Sequence, residues 1–391
     1  MTALATRPLV IARGIRAFAD GFASVLLARY LTNLGFSGFE TGVIVTATLL
    51  GSAALTMLAG FRLAHHSVKR ILFASCALMA LTGIGFASIT QFLPLVLVGF
   101  VGTLNPSGGD VSLFLPTEQS VMADLTETHE RPHRFAVYNL VAALAVAAGA
   151  LASALPERIA HANDWDVATV ERSSFLLYVV TAVACMFVYR ELQTSVEMEA
   201  PRRGLHKSRS IIVRLSALFS LDSAGGGFVV NAILVLYLDQ RFDLSPGAVA
   251  ITLATASVLS AFSQLVSARL STRIGLVNTM VFTHLPANIF LILAGIVPSA
   301  GLAVAFLLLR ASLSQMDVPV RQALVMRLVE PDERAAAASV TNVPRSLAAA
   351  CTPALAGALL DWSTFGWPLI IGGGLKASYD LLLLRQPLDR D

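Results

Sequence analysis

Long apolar runs separated by short polar turns make up most of the chain, and they lack the strict apolar/polar alternation of a membrane β-strand. Twelve runs, at roughly 9–34, 39–62, 70–90, 93–124, 134–155, 173–190, 210–238, 246–270, 275–297, 300–328, 335–360 and 364–385, have about the length of 20 residues that a spanning helix needs. Several exceed that minimum, which permits tilt or extension beyond the bilayer. The pattern predicts an all-α membrane protein. Composition agrees: 55% of the 391 residues are hydrophobic and 14% are charged, against about 25% charged in a soluble domain. This excludes a soluble enzyme, a nucleic-acid binder and a disordered chain.

Basic residues set the expected orientation, because Lys and Arg favour cytoplasmic loops. The turns after the second, fourth, eighth and tenth segments carry Lys69 and Arg70, Arg131 and Arg134, Arg269 and Arg273, and Arg327 and Arg334; residues 191–209 carry Arg202, Arg203, Lys207 and Arg209. Opposite loops carry few. Both termini and the middle loop are therefore expected in the cytoplasm, with the chain multi-pass in a cell inner (plasma) membrane. The polar stretch 191–209 reads as a linker between an N-terminal six-helix bundle, 1–190, and a C-terminal one, 210–391. Arg13, Arg16 and Asp20 interrupt the first apolar run, which argues against a removable signal peptide. Cys76, Cys185 and Cys351 lie far apart with no metal spacing, so neither a disulfide framework nor a metal or other cofactor is expected.

The two halves repeat. At one fixed offset and without a gap, Pro116, Gln119 and Leu125 pair with Pro319, Gln322 and Leu328. Glu127, Glu130, Arg131, Val137 and Asn139 pair in the same register with Glu330, Glu333, Arg334, Val340 and Asn342. Shared aliphatic composition cannot produce that run of polar matches. Duplicated halves in parallel are a plan used by secondary transporters. With this repeat, the helix count and the charge pattern, the chain resembles the major facilitator superfamily over essentially its whole length. That superfamily's turn after helix 2, G-x-x-x-D-R-x-G-R-K, survives as Gly60…Lys69-Arg70, without the acid and the second glycine; its counterpart after helix 8 keeps Arg273-Ile274-Gly275. Asn105-Pro106-Ser107-Gly108-Gly109-Asp110 resembles the S-P-S-G-G-E run of a bacterial subset. The resemblance implies twelve transmembrane helices in two pseudo-symmetric bundles, alternating access to a small-molecule substrate at the midplane, and a monomer in the lipid bilayer.

Candidate chemistry sits where charge meets apolar sequence. A charged acid at the bilayer centre costs at least about 2.5 kcal/mol on insertion scales, and its proton exchanges when water or a cation reaches it. Asp110, beside the proline–glycine break of the fourth segment, is therefore the first proton-coupling candidate, followed by Glu118, Asp20 and Asp222. Glu118 also suits a structural ion pair, and Asp20 an i,i+4 pair with Arg16. Asp20 and Asp222 are expected at roughly equivalent positions of the two halves. Asn105, Arg310, Gln315, Asp317, Arg321 and Arg345 are substrate-cavity candidates. Arg310 and Arg345 suit an anionic or strongly polar solute, or neutralise acids across the bundle. Lys69, Arg70 and Arg273 are candidates for a cytoplasmic gate, with partners expected in the opposite bundle. Gly225-Gly226-Gly227 lacks the Lys-Ser/Thr of a phosphate loop and reads as a bend or close contact.

These readings predict a secondary transporter, proton-coupled and exporting its solute. The superfamily's antiporter motif ends in G-P-x-x-G-G, and here Ala147–Ser153 lacks the proline, so uptake or facilitated diffusion of a polar or anionic metabolite stays open. A membrane receptor or sensor is the alternative of another class. An enzyme is not expected, since no nucleophile, acid–base or metal set converges.

Overall fold

The computed structural model describes residues 2–62, 67–107, 114–127, 130–192, 208–329 and 333–386. Among these residues eighteen α-helices, and no strands, account for the twelve segments. The first three are the single helices α1 (Thr2–Asn33), α2 (Gly38–Arg62) and α3 (Val68–Ser88). The fourth is split into α4 (Phe92–Val101) and α5 (Phe114–Asp124), and the fifth is α6 (Arg131–Ala152) extended by α7 (Leu155–Ala162). The sixth comprises α8 (Val167–Ser174) and α9 (Leu177–Arg190), and the seventh α10 (Arg209–Gly227) and α11 (Asn231–Phe242). Then come α12 (Pro246–Ile274) and α13 (Leu276–Ile296), the split tenth segment α14 (Ala300–Ser314) and α15 (Asp317–Leu328), the split eleventh α16 (Arg334–Ala350) and α17 (Pro353–Trp362), and α18 (Trp367–Leu384). Nine helical stretches among the described residues are long and apolar enough to cross a membrane. The first, fourth and twelfth segments fall short: the first and last carry charge, and the fourth is interrupted.

Local chemistry places the boundaries. Ser245 caps α12 by accepting from the Ala248 N–H at 3.3 Å, with Pro246 in the first turn, where its missing N–H costs nothing. Asp166 caps α8 by accepting from the Thr169 hydroxyl and N–H, and these bonds, the hydroxyl's first, hold its carboxyl below the usual range. The fourth segment stops being helical at Gly102, before Pro106. Its open backbone finds partners: Thr103 N–H donates to the Thr82 hydroxyl at 3.1 Å, and the Asn105 side chain accepts from the backbone and hydroxyl of Ser107. Residues 108–113, Asp110 among them, lie outside the described residues.

Helices α1–α9 pack into one group and α10–α18 into another. In the first, α1 packs on α6 and α9, α3 on α9, and α2 on α4; in the second, α10 packs on α16 and α18, and α13 on α14 and α18. The groups meet through α2 with α16 and α17, α6 with α12, and α1 with α11. Large apolar side chains such as Leu81, Leu97, Val180, Phe187, Ile251, Phe262 and Phe282 are exposed, the surface a bilayer would cover. Trp362, exposed, stacks with Trp367 at 6.4 Å, a pairing suited to a membrane–water boundary.

The end opposite the chain termini, here the distal end, holds a closure between the groups. The Asp361 carboxylate accepts from the Gly38 and Phe39 N–H groups, each at 2.7 Å. A residue of one group thus caps a helix of the other, where unpaired N–H groups and the positive end of the dipole favour an anion. A Cβ on Gly357 would lie 1.9 Å from the Gly38 carbonyl oxygen, so only glycine lets these backbones meet. Thr46 accepts from the Ala354 N–H at 3.2 Å. Deeper in, Asn231 donates to the Ser24 hydroxyl at 3.2 Å, and the Ala232 N–H to the Pro106 carbonyl at 3.4 Å.

Replacing Asp361 with Ala removes a cap of the kind worth about 1 kcal/mol, so the distal end should open more often. Spin labels at Asn163 and Ser299, in a Cys351→Ser background, should report a longer-distance population that grows in the variant. An unchanged distribution would show that Asp361 does not hold the closure.

Candidate functional site

Charged residues inside the helix groups form two networks. In the first, Arg16 of α1 pairs with Glu118 of α5, and the hydroxyls of Tyr138 (α6) and Tyr189 (α9) also donate to Glu118. Glu118 is fully buried. The Arg16 guanidinium lies over the Phe114 ring at 4.1 Å, and Arg13 lies over Tyr138 at 5.4 Å. Asp20 accepts from the Tyr178 hydroxyl at 2.8 Å. Four helices therefore converge on one carboxylate. Of the two readings the sequence allows for Glu118, this geometry fits the ion pair.

The second network is larger. Asp222 of α10 accepts from Lys376 of α18 at 2.6 Å and from Arg321 of α15 at 3.2 Å, and His284 Nε2 of α13 stands 3.6 Å away. Arg321 also meets Asp317 at 3.1 Å and lies over Phe219 at 5.6 Å. The other His284 nitrogen, Nδ1, contacts Asp380 at 2.9 Å, and Asn288 donates to Asp380 at 2.8 Å. An imidazole thus bridges two buried carboxylates, one of which is shared with Lys376 and Arg321.

The halves are related by an inversion of charge. The repeat offset that pairs Pro116 with Pro319 pairs Val146 with Ala349 and Gly149 with Thr352. A Cβ on Gly21 would meet the Val146 carbonyl oxygen at 2.2 Å, and one on Gly227 the Ala349 oxygen at 2.1 Å, so Gly21 matches Gly227. Gly149 abuts the Phe18 carbonyl, and Thr352 donates to the Ala224 carbonyl, giving the same match. Arg16 stands five residues before Gly21, and Asp222 five before Gly227. Arg16 and Asp222 are therefore equivalent, as are Glu118 and Arg321, and the same interhelix ion pair is built with opposite polarity. This corrects the expected equivalence of Asp20 and Asp222: Asp20 matches Gly226, because α1 and α10 carry a three-residue difference in offset from the later repeat.

The remaining candidates separate. Asn105 is buried, and its Nδ2 has no hydrogen-bond partner. Gln315, half-buried, follows the end of α14. Asp317 and Arg321 are buried within the network. Arg345 donates to Ser223 at 3.2 Å and to Asn342 at 3.3 Å. Arg310 has a buried Nε without a partner. Lys69 donates to the carbonyls of Arg190 and Leu192, at 2.7 and 3.3 Å. Its partner is the C-terminal end of α9 in its own group, where carbonyls concentrate negative charge, and not the opposite bundle as expected. Arg70 and Arg273 are exposed. Gly225 packs on the Gly372 carbonyl, the close contact anticipated for the glycine run. Among the described residues no group of three or more His, Cys, Asp or Glu side chains is placed to hold a metal ion.

Two bundles of apolar helices, closed against each other at one end and carrying paired charge inside, are the architecture of a multi-pass membrane transport protein. The sequence model of the Major Facilitator Superfamily matches residues 9–221 and 215–389, and the chain belongs to that family of transporters. It is not an enzyme. An uncharacterized membrane protein of Saccharomyces cerevisiae is 23% identical over 409 aligned positions, covering 94% of this chain and 91% of the relative. Among solved structures, a bacterial homologue of the iron transporter ferroportin in an inward-facing state superposes with a TM-score of 0.75 at 14% identity, covering 98% of each chain. The inward-open xylose transporter XylE from E. coli gives 0.72 at 13%, covering 97% of this chain and 96% of that one. At such identities the structural likeness speaks for the fold alone.

Glu118→Gln should destabilise the protein by about 3–5 kcal/mol, the cost of breaking a buried pair. Replacing both members, as Arg16→Met with Glu118→Met, should recover much of the loss. Thermal unfolding of the purified variants checks this; a Glu118→Gln protein as stable as the parent would contradict the clamp.

Proposed function

We propose that this chain is a proton-coupled secondary transporter, working as a monomer in the inner membrane with its termini in the cytoplasm. Its two helix groups rock around a midplane site, and the distal closure seals the outer face. One observation carries the coupling: Asp222 is shared among Lys376, Arg321 and His284, and His284 links it to Asp380. Any movement that withdraws one cation from Asp222 changes its demand for a proton, and the imidazole is the side chain best suited to relay one near neutral pH. Proton binding and helix rearrangement then bias each other reciprocally.

This reading places coupling in the C-terminal half. Glu118 serves as a clamp and Asp20 as an acceptor for Tyr178. Asp110 lies outside the described residues and remains the next carboxylate to test. Lys69 reinforces its own bundle, while the exposed Arg70 and Arg273 stay candidates for the cytoplasmic gate. Export of a small organic solute is the direction we assign, on the superfamily resemblance; uptake of a polar metabolite is the alternative.

Asp222→Asn keeps the shape of the side chain and removes its titration. In proteoliposomes, accumulation of a transported solute driven by a pH gradient should be abolished, while solute counterflow without a gradient persists. Reversing the gradient separates export from uptake. Uphill transport by the variant with the parent's pH dependence would move the coupling site elsewhere.

A further inference from the structure

Charge in the C-terminal network is unevenly matched. Its direct pairs hold two permanent cations, Arg321 and Lys376, and three carboxylates, Asp222, Asp317 and Asp380, while Arg310 and Arg345 stand outside those pairs. The direct pairs use up Arg321 and Lys376: Asp222 holds both, and Asp317 shares Arg321. Asp380 is occupied by His284 and Asn288. Two arginines remain. Arg345 bonds neutral groups, the Ser223 hydroxyl and the Asn342 amide oxygen. Arg310 is half-buried, with its Nε enclosed and without a hydrogen bond. Among the described residues no carboxylate lies within ion-pair distance of either. Arg345 of α16 stands beside Asp222 through its bond to Ser223, and the Asp222 charge also acts on Arg310 of α14.

An ionised arginine inside a membrane-embedded bundle persists where water, a pore or a counter-charge receives it. Its planar fork of donors matches an oxyanion in geometry as well as in charge. Aliphatic, neutral or cationic solutes would bring neither guanidinium a counter-charge. We propose that Arg310 and Arg345 form the recognition site for an oxyanion group, carboxylate or phosphate, of the transported solute. The assignment rests on the transporter reading and names the substrate class for it. It also ties substrate to coupling: an anion seated here competes with Asp222 for positive charge, so binding the solute loosens the hold of the network on the carboxylate.

The test uses the purified full-length protein and a fixed set of probes: succinate for carboxylates, glycerol 3-phosphate for phosphates, uridine and xylose as neutral solutes, and tetraphenylphosphonium as a cation. Thermal unfolding is followed as each probe is titrated. At least one oxyanion should raise the unfolding temperature. Arg310→Gln and Arg345→Gln should each weaken its apparent affinity by about tenfold or more, as expected for loss of a charge-assisted hydrogen bond. Arg310→Lys, which keeps the charge without the fork, should fall between. Which oxyanion acts separates carboxylate from phosphate. The proposal is overturned if neither oxyanion stabilises the protein, if only the neutral or cationic probes do, or if the oxyanion effect survives both Gln variants. Counterflow of the same radiolabelled probes keeps the two readings apart. An oxyanion bound but never exchanged refutes transport and leaves the site; exchange of a neutral probe without oxyanion binding refutes the site and leaves transport.

Discussion

A charge inside a membrane-embedded bundle must be answered by another, and that requirement organises this molecule. The cost of ionised groups at the bilayer centre, at least about 2.5 kcal/mol each on insertion scales, is met by bringing together helices distant in sequence. Glu118 draws α1, α5, α6 and α9 onto one point, and Asp222 draws α10, α13, α15 and α18 onto another. Each network ties its half of the chain together from within. The interaction is conserved between halves as geometry and not as residue type: Arg16 faces Glu118 in one, and Asp222 faces Arg321 in the other. Exchanging the sign of both partners preserves the pair, which lets the two halves keep one architecture while their chemistry diverges. The second half also holds Lys376, His284 and Asp380 at its network, and the first holds tyrosines, which donate hydrogen bonds.

Contacts between the halves are of another kind. At the distal end they consist of close backbone approach, as between Gly38 and Gly357, and of a helix cap supplied in trans by Asp361. A few hydrogen bonds supplement them. Such contacts form and break at small cost compared with a buried ion pair. The buried ion pairs of the two networks lie within the halves, while one apolar core runs across the seam between them.

Much of this was legible in the sequence. Apolar run lengths indicate the helical class, and the gapless match of Pro116–Asn139 with Pro319–Asn342 exposes the duplication. The fourth segment was read as broken because Pro106 and its glycines cannot sustain a helix, and the structure ends α4 before them. The site was less legible. Lys376 and Asp380, four residues apart in an otherwise apolar helix, are a visible signal of buried charge, as is His284 four residues before Asn288. Tyr138, Tyr178 and Tyr189 carried no signal, because an isolated tyrosine in an apolar helix looks like any core aromatic. Equivalence across the halves misled for Asp20, since the offset that holds over the later helices shifts by three residues in the first, and only backbone contacts at Gly21 and Gly227 reveal it. The partner of Lys69 was a backbone carbonyl, which sequence cannot show.

The central claim is that each buried network makes its half a rigid body. Spin-label distances at four exposed positions, Arg70 and Asn163 in one half and Arg273 and Ser299 in the other, test it directly in the Cys351→Ser protein as pH is varied. The account predicts that the Arg70–Arg273 and Asn163–Ser299 distances change in opposite directions while the Arg70–Asn163 and Arg273–Ser299 distances hold constant. Distances within a half that change as much as those between halves would contradict it.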